Sequence, residues 1–407
     1  MFPTITPVCE GIGQVKVRER NAPISPPLLR PKMPELDALR GIACLMVLFF
    51  HGFGNRFPPD HFSGVVKAFV WTTTWGWTGV NLFFVLSGLL ITGILLDTRD
   101  HPNYYQRFYI RRMLRILPAY YAVLGLLTVL WLGSLIARPV SWGFLGLSFV
   151  YFPNLTPLFG VPLYYPVLWS LGVEEHFYLL WPACVRRLTF KTVFFLALTI
   201  CFCAALARIV TFHFGHDAFG PYTWLVADGL AMGAALAAGI RWCQQRRSAL
   251  WWMVGSSFVV ALLCFLVDRL LTNPPLAGGS LHITAINASY AGLLGAALLL
   301  GSRFGIRSRI LEFFGDVSYG LYLVHILIFD LFDSAASRFF PALAGKALPF
   351  ASICLRFAVV AAVTVVVAWI SRWYFEEPFL RLKDRFASAT NMPKNSEPVL
   401  SEVARAS

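Results

Sequence analysis

The chain has 407 residues, of which 57% are hydrophobic and 14% are charged, and its formal net charge is +13. This composition is too apolar for a water-soluble globular protein and points to a protein of the membrane. A basic balance of this size would suggest a nucleic-acid partner in a soluble protein, but in short loops beside a membrane it favours contact with anionic lipid instead.

Ten apolar runs in the chain are long enough, at about 20 residues, to cross a bilayer as helices. They lie near residues 38–54, 78–96, 117–136, 168–185, 192–212, 223–240, 249–271, 283–302, 316–333 and 352–374. A further apolar stretch near 143–152 is too short to span and is expected to re-enter the membrane or lie at its surface. The sequence therefore predicts an all-α polytopic membrane protein with about ten transmembrane helices in one bundle.

Lys and Arg residues are distributed unequally between the two sets of connecting segments. One set, which includes both termini, holds 25 of the 34, and the opposite set holds five. Because positive charge stays on the cytoplasmic side, both termini are predicted to be cytoplasmic. The chain is divided into a disordered arm at 1–33, a membrane domain at 34–385 and a disordered tail at 386–407. The charged segment EEPFLRLKDR at 376–385, which closes the last span, is predicted to face lipid headgroups.

The first span contains two ionisable residues, Arg40 and His51, which are eleven residues apart. Eleven residues make about three helical turns, so both side chains share one helix face, with Arg40 at the cytoplasmic end and His51 toward the outer half. An ionisable side chain inside a membrane helix is costly. His51 is either the general base of a reaction or a hydrogen-bonded residue of the bundle core.

A cluster of arginines follows the second span. Arg107, Arg111, Arg112 and Arg115 precede Pro118, which is predicted to start the next helix. Arg111 and Arg115 are one helical turn apart and could clamp a phosphate through bidentate hydrogen bonds. Anchoring to anionic lipid is the alternative.

The fourth span contains two adjacent carboxylates, Glu174 and Glu175, in the segment LWSLGVEEHFYLLWP. Neighbouring side chains point about 100° apart on a helix, so one carboxylate can face a cavity while the other bonds a different partner. Since this helix runs opposite to the first span, the pair is placed at about the depth of His51. One glutamate is predicted to orient His51 by a hydrogen bond, and a structural ion pair is the alternative.

Other polar residues within the spans have structural explanations. Ser87 precedes a glycine, and small residues in membrane helices more often mark close helix packing than substrate contact. Arg208 and Asp228 are expected to form a plain ion pair, and His325 is expected to hydrogen-bond within the bundle. The eight cysteines contain no CxxC pair, so neither a disulfide framework nor a metal site is predicted.

Together these motifs resemble the membrane acyltransferase 3 family, which are integral-membrane O-acyltransferases that modify bacterial surface polysaccharides and some small molecules. The resemblance covers about residues 34–383 and is carried, in the family's order, by LDALRGIACLMVLFFH, NLFFVLSG, RRMLRILP, WSLGVEEHFYLLWP, SYGLYLVH and EEPFL. Two positions depart from the family pattern, since Asn81 stands where Asp is frequent and His176 where Gln is frequent. Some members carry a fused periplasmic hydrolase-like domain, and this chain is expected to be of the stand-alone kind.

The resemblance implies an enzyme of the bacterial inner membrane that moves an acyl group, expected to be acetyl, from cytoplasmic acyl-CoA to a hydroxyl of a glycan or related acceptor. Acyl-CoA is a co-substrate, and no other cofactor, no metal and no nucleic acid are expected. The candidate residues are His51, Glu174 and Glu175 for catalysis; Arg40, Arg111, Arg112 and Arg115 for binding the acyl donor; and Ser87, Trp169, Ser170 and His325 for the substrate channel. His51 is either the base or the carrier of an acyl-histidine intermediate.

Two other classes of protein are alternatives to an acyltransferase. A proton-coupled transporter would use buried His and Glu residues as a proton relay, but internal repeats are missing and the arginine cluster has no role in it. A non-catalytic scaffold would not need two carboxylates and a histidine at matching depth. Binding of CoA separates the three classes, because only the acyltransferase requires it.

Overall fold

The computed structural model describes residues 29–30, 33–217, 220–243, 246–271, 279–304, 307–339 and 349–382, and all regular secondary structure in these ranges is helical. The predicted terminal arm and tail lie almost entirely outside the described residues. The α-helices are α1 (Pro34–Phe49), α2 (Gly64–Thr74), α3 (Gly79–Thr98), α4 (Tyr104–Leu132), α5 (Trp142–Phe149), α6 (Val167–Arg187), α7 (Phe190–His213), α8 (Thr223–Trp242), α9 (Arg247–Leu271), α10 (His282–Phe304), α11 (Arg309–Phe339) and α12 (Phe350–Ile370).

Nine helical segments among the described residues are long and apolar enough to cross a membrane, and they coincide with nine of the ten predicted spans. The remaining prediction, 168–185, is helix α6. Its 21 residues reach about 31 Å, enough to span, but the polar sequence EEH in its middle lowers its hydropathy. The short stretch near 143–152 forms helix α5. The prediction of an all-α, multi-pass membrane protein is confirmed.

Helix α4 begins much earlier than predicted. It starts at Tyr104 rather than near 117, so the arginine-rich segment forms its first turns and Pro118 lies inside the helix, not at its start. Hydropathy marks only the apolar part of a helix, whereas arginine is a good helix former that extends it into the headgroup region. The arginines therefore project from a regular helix instead of a loop.

Helix α3 lies between α1 and α8, and it approaches α8 closely at two glycines. A β-carbon on Gly88 would overlap the carbonyl oxygen of Leu230, and one on Gly233 would overlap that of Val85. Such close backbone contact is a usual way for membrane helices to pack. Gly88 thus serves the packing role considered for this motif, while Ser87 lines a cavity.

A fully buried ion pair joins α7 to α8, as expected from the sequence. Arg208 Nη2 lies 2.7 Å from Asp228 Oδ2, and neither side chain is accessible to solvent. The guanidinium also donates hydrogen bonds to the carbonyl oxygens of Ser280 and Leu225 and to the hydroxyl of Thr284. The arginine is completely occupied by structural contacts.

Asp228→Ala is expected to lower the free energy of unfolding by about 3–5 kcal/mol, because it leaves the buried Arg208 charge without its counter-ion. The matched control is Asp60→Ala, which removes a carboxylate from an exposed pair with Lys67 and should have little effect. Thermal unfolding in detergent, followed by tryptophan fluorescence, compares the two variants with wild type. Equal unfolding temperatures for Asp228→Ala and wild type would contradict this assignment.

The charged segment after α12 faces lipid only in part. Glu376 closes a π-helical turn, Ser371–Glu376, and is buried, with Ser371 Oγ donating to its Oε1 at 3.0 Å. Glu377 is bonded instead to Arg372 and Arg381, at 2.6 and 3.2 Å. The prediction that this segment faces lipid is therefore wrong for Glu376, because the π turn rotates its side chain toward α11.

Candidate active site

Two cavities contain most of the predicted site residues, and the first, called here the arginine cavity, runs alongside α3. It extends from Thr98 to Val80, a stretch that rises by about 27 Å in an α-helix, and its volume is about 380 Å³. The arginines that line it are Arg40, Arg107, Arg111, Arg112 and Arg115. The four arginines predicted to bind an acyl donor thus face one elongated cavity, together with Arg107.

Two of these arginines are available for a ligand. Arg40 pairs with Asp37 at 3.0 Å, and Arg107 is bonded to a nearby histidine. Arg111, Arg112 and Arg115, by contrast, form no ion pair or hydrogen bond with any residue that the structure describes. The Arg112 guanidinium is stacked over the Tyr178 ring, which leaves Arg111 and Arg115, and both are exposed to the cavity. Their donors are free, and the two residues lie one helical turn apart on the rigid α4.

A chain of hydrogen bonds crosses the arginine cavity from α3 to α6. The hydroxyl groups of Ser87 and Tyr178 are hydrogen-bonded to each other, and the Tyr178 hydroxyl donates to Glu174 Oε2 at 3.2 Å. The Arg112 guanidinium lies over the Tyr178 ring, 4.4 Å from its centre. Positive charge is thereby held close to the partly buried carboxylate, which lowers the cost of keeping that carboxylate in the bundle.

Neither glutamate contacts His51 in the described part of the protein. Glu174 faces the arginine cavity, while Glu175, the next residue around α6, lines neither of the two cavities. Helix α6 packs against α3 and α11 rather than along α1, so matching depth does not bring its carboxylates to His51. The predicted pairing of a glutamate with His51 is therefore wrong.

His51 opens instead into the second cavity, called here the tryptophan cavity, whose volume is about 940 Å³. The residue belongs to a π-helical turn, Phe50–Gly54, that ends the first span. Turns of this type are rare and frequently occur at functional sites. The tryptophans that line the cavity are Trp71, Trp75, Trp77 and Trp169, and its polar lining includes Asn55, Asp268, Arg269 and His282.

A second histidine fixes the tautomer of His51. His51 Nδ1 lies 3.0 Å from the carbonyl oxygen of Val47, which can only accept, so Nδ1 carries the proton. His325 likewise donates from its Nδ1 to the carbonyl oxygen of Tyr322 at 2.7 Å, which leaves its Nε2 as an acceptor 3.3 Å from His51 Nδ1. In the neutral ring, Nε2 of His51 is then an unprotonated base with no partner among the described residues.

The two cavities meet at three residues that line both, Val80 and Phe84 of α3 and Tyr322 of α11. Of the remaining predicted channel residues, Ser170 lines the arginine cavity and Trp169 the tryptophan cavity. Glu175 and His325 line neither cavity, and the other predicted residues are divided between two adjoining spaces, with the arginines on one side and His51 on the other.

The two departures from the family pattern have different surroundings. Asn81 is buried at the wall of the tryptophan cavity, and its amide donates to Asn287 Oδ1 at 2.9 Å. His176 lines neither cavity, and its Nδ1 lies 2.7 Å from the hydroxyl of Thr223. Asn81 therefore contributes a neutral amide where a charge is frequent, and His176 lies apart from the site.

Several residues of the site were not found from the sequence. Tyr178 lies in the motif WSLGVEEHFYLLWP and Tyr322 in SYGLYLVH. Their hydroxyl groups, which are polar within predicted membrane spans, were the feature that could have identified them. The segment WTTTWGW supplies three of the four tryptophans of the second cavity. Its richness in tryptophan was a signal too, although tryptophan is also common at membrane surfaces.

Comparison with known proteins identifies relatives of the whole membrane region. A family model described as an acyltransferase domain matches residues 33–373. The chain is 29% identical to the peptidoglycan O-acetyltransferase OatA of Listeria monocytogenes over 74% of this chain and 50% of that protein. It is 30% identical to YrhL of Bacillus subtilis, provisionally named a peptidoglycan O-acetyltransferase, over 72% and 48%. The chain spans about half the length of the curated relatives it matches, and no solved structure matches it at comparable significance.

Proposed function

The chain belongs to the acyltransferase family that matches residues 33–373, and we propose that it transfers an acetyl group from acetyl-CoA to a hydroxyl of a cell-surface glycan. The observation that carries this proposal is the pair of cavities, one lined by arginine and one by tryptophan, which meet within the helix bundle close to His51. A reaction between two substrates needs a binding space for each of them. A transporter that moves one solute along a single path would not need arginines at one end and tryptophans at the other.

Acetyl-CoA fits the chemistry of the arginine cavity. CoA carries its phosphates at one end and the thioester at the tip of a long flexible arm. The unpaired guanidinium groups of Arg111 and Arg115 are suited to phosphate oxygens, which they can bind with two parallel hydrogen bonds. The remaining length of the cavity, past Ser87 and Glu174 to Tyr322, accommodates the arm and directs the thioester toward the junction.

A glycan fits the chemistry of the tryptophan cavity. One face of a sugar ring presents C–H groups and is apolar, while its hydroxyl groups project from the edge. Large flat indole rings match the apolar face, and a few polar side chains fix the orientation of the hydroxyl groups. Trp75 and Trp169 together with Asn55 and Asp268 supply both kinds of contact. The names of the relatives, which refer to peptidoglycan, favour the same class of acceptor.

The free Nε2 of His51 performs the chemical step. It takes the proton from the acceptor hydroxyl as that oxygen attacks the thioester carbonyl carbon, the carbon–sulfur bond breaks, and the departing thiolate recovers the proton. In the alternative sequence Nε2 attacks the thioester carbonyl carbon first and the carbon–sulfur bond breaks to release the CoA thiolate; the acceptor oxygen then takes the acetyl group from Nε2, and its proton passes to the thiolate. Both sequences need the tautomer that Val47 and His325 impose.

The charge distribution supports a cytoplasmic donor side. Arg107, Arg111, Arg112 and Arg115 belong to the set of segments that holds most of the Lys and Arg residues, which is the cytoplasmic set under the positive-inside rule. The arginine cavity then opens where acyl-CoA is made, and the tryptophan cavity opens toward the opposite face. The protein accordingly lies in the bacterial plasma membrane with both termini cytoplasmic.

The test is to supply the purified protein in liposomes with acetyl-CoA carrying a labelled acetyl group and with peptidoglycan-derived oligosaccharides. Label is expected in the sugar fraction as an ester that mild alkali releases, and omission of the oligosaccharide should remove it. Acetyl phosphate, offered as a donor without the CoA moiety, should not replace acetyl-CoA. If the protein neither binds nor consumes acetyl-CoA, the proposed donor is wrong and transport becomes the function to test.

A further inference from the structure

We propose that the Tyr322 side chain is a movable partition between the two cavities, and that acetyl transfer requires its displacement by the tip of the donor. This inference rests on the function proposed above. Tyr322 lines both cavities and is only 8% exposed, because its ring fills the space between them. Val80 and Phe84, one turn apart on α3, form the opposite wall of the junction.

A single hydrogen bond holds the tyrosine in this position. The Ser170 hydroxyl donates to the carbonyl oxygen of Val167 at 3.1 Å, so its one proton is used. The Tyr322 hydroxyl, 2.7 Å from Ser170 Oγ, must therefore be the donor in the bond between them. A lone bond between neutral groups is weak enough for a ligand to break, whereas the bulk of the ring excludes water while the bond is intact.

Movement of the ring leaves the hydrogen bonds that orient the base in place. The carbonyl oxygen of Tyr322 accepts the hydrogen bond from His325 Nδ1, and His325 in turn contacts His51. That carbonyl belongs to the backbone of α11 and stays in place when the side chain rotates. The ring contacts Phe83 edge-on and His325 at a tilt, with ring centres 5.8 Å apart in each case, and the donor tip must displace it from these contacts. Position 322 thus combines a fixed backbone acceptor with a side chain that only one hydrogen bond anchors through its hydroxyl.

A partition between the cavities limits the hydrolysis of acetyl-CoA by water. If the cavities were continuous, water from the tryptophan cavity could reach the thioester, attack its carbonyl carbon and release acetate and CoA without an acceptor. A closed Tyr322 keeps water from the thioester until the donor tip has entered the junction. The residue therefore decides how much acetyl-CoA is consumed for each acetyl group transferred.

The experiment compares wild type, Tyr322→Ala, Tyr322→Phe and Tyr121→Ala at saturating acetyl-CoA. Hydrolysis without acceptor and transfer with acceptor are measured on the same preparations. Tyr322→Ala is expected to raise the ratio of hydrolysis to transfer by about tenfold or more, and Tyr322→Phe, which keeps the ring and loses the bond, by only about two- to threefold. Tyr121 lines neither cavity, and its hydroxyl donates to the carbonyl oxygen of Phe149, so Tyr121→Ala should leave the ratio unchanged. A ratio for Tyr322→Ala equal to that of wild type would overturn the proposal.

A second measurement does not depend on turnover. Liposomes containing Tyr322→Ala should admit glycerol faster than those containing wild type, as measured by stopped-flow light scattering. If wild type is inactive while the Tyr322→Ala liposomes leak, the partition stands and the proposed reaction fails. If wild type is active and Tyr322→Ala changes neither the ratio nor the permeability, the partition fails alone. Should Tyr322→Ala not fold, Phe84→Ala opens the same junction from α3 and carries both measurements.

Discussion

His51→Ala is expected to abolish acetyl transfer while the protein still folds and binds acetyl-CoA. The substitution removes the unprotonated Nε2, which is the group assigned to proton removal or acetyl transfer. A general base contributes about 10²- to 10⁴-fold to a rate, and loss of a group that carries the acetyl would eliminate the reaction. Donor binding should persist because the arginine cavity does not include His51.

The measurement is a rate assay with labelled acetyl-CoA, accompanied by a binding assay for the donor. His61→Ala is the matched control, since His61 lies exposed in a short 3₁₀ turn and lines neither cavity. Brief exposure of the wild type to labelled donor without acceptor distinguishes the two reaction sequences, because only an acetyl-histidine intermediate leaves label on the protein. Normal transfer by His51→Ala would rule out both sequences.

The membrane architecture could be predicted because the bilayer imposes a simple rule on sequence. Nine of the ten predicted spans match helices of sufficient length and hydropathy, and α6 was found by the same rule despite its polar centre. His51 and the arginines were identified for a related reason, since ionisable residues in or beside apolar helices are costly and need an explanation. These features depend on composition along the chain, which the sequence contains directly.

The partners of those residues depend on how each helix is rotated, which the sequence does not contain. Glu174 and His51 were predicted to form a pair from their expected depth, but Glu174 points toward Tyr178 and His51 toward His325. The π turn at Phe50–Gly54 adds to the difficulty, because nothing in FHGFG distinguishes it from an ordinary helical end. The direction of these side chains could therefore not be predicted.

The tryptophan cavity illustrates a second limit. Its walls come from Trp71–Trp77 before α3, from Trp169 in α6 and from Asp268 in α9, segments that are far apart in the chain. Each tryptophan alone is typical of a membrane surface. They form one binding surface only because the packing of α3, α6 and α9 brings them around one space. A motif that is scattered in this way leaves no local pattern to recognise.

Simultaneous replacement of Arg111 and Arg115 by Ala is expected to weaken binding of acetyl-CoA by two orders of magnitude or more. A hydrogen bond to a charged group contributes about 1.5–3 kcal/mol, which corresponds to about 10- to 150-fold per arginine. Neither side chain forms an ion pair or hydrogen bond with the described part of the chain, so the substitutions break no such bond and the fold should be preserved. The turnover number at saturating donor should change much less than the KM for acetyl-CoA.

A donor without phosphates makes the test specific. Acetyl-pantetheine has the same thioester and the same arm, so the double variant should bind it as well as wild type does, and its preference for acetyl-CoA over acetyl-pantetheine should disappear. Arg187→Ala, which removes an equal charge from the exposed end of α6 outside the cavity, is the matched control. If the arginines instead anchor anionic lipid, both donors will bind the variant as they bind wild type. The two donors share the thioester and its arm and differ in the phosphorylated adenosine end, so an equal loss of affinity for both would place Arg111 and Arg115 on the thioester arm rather than at that end.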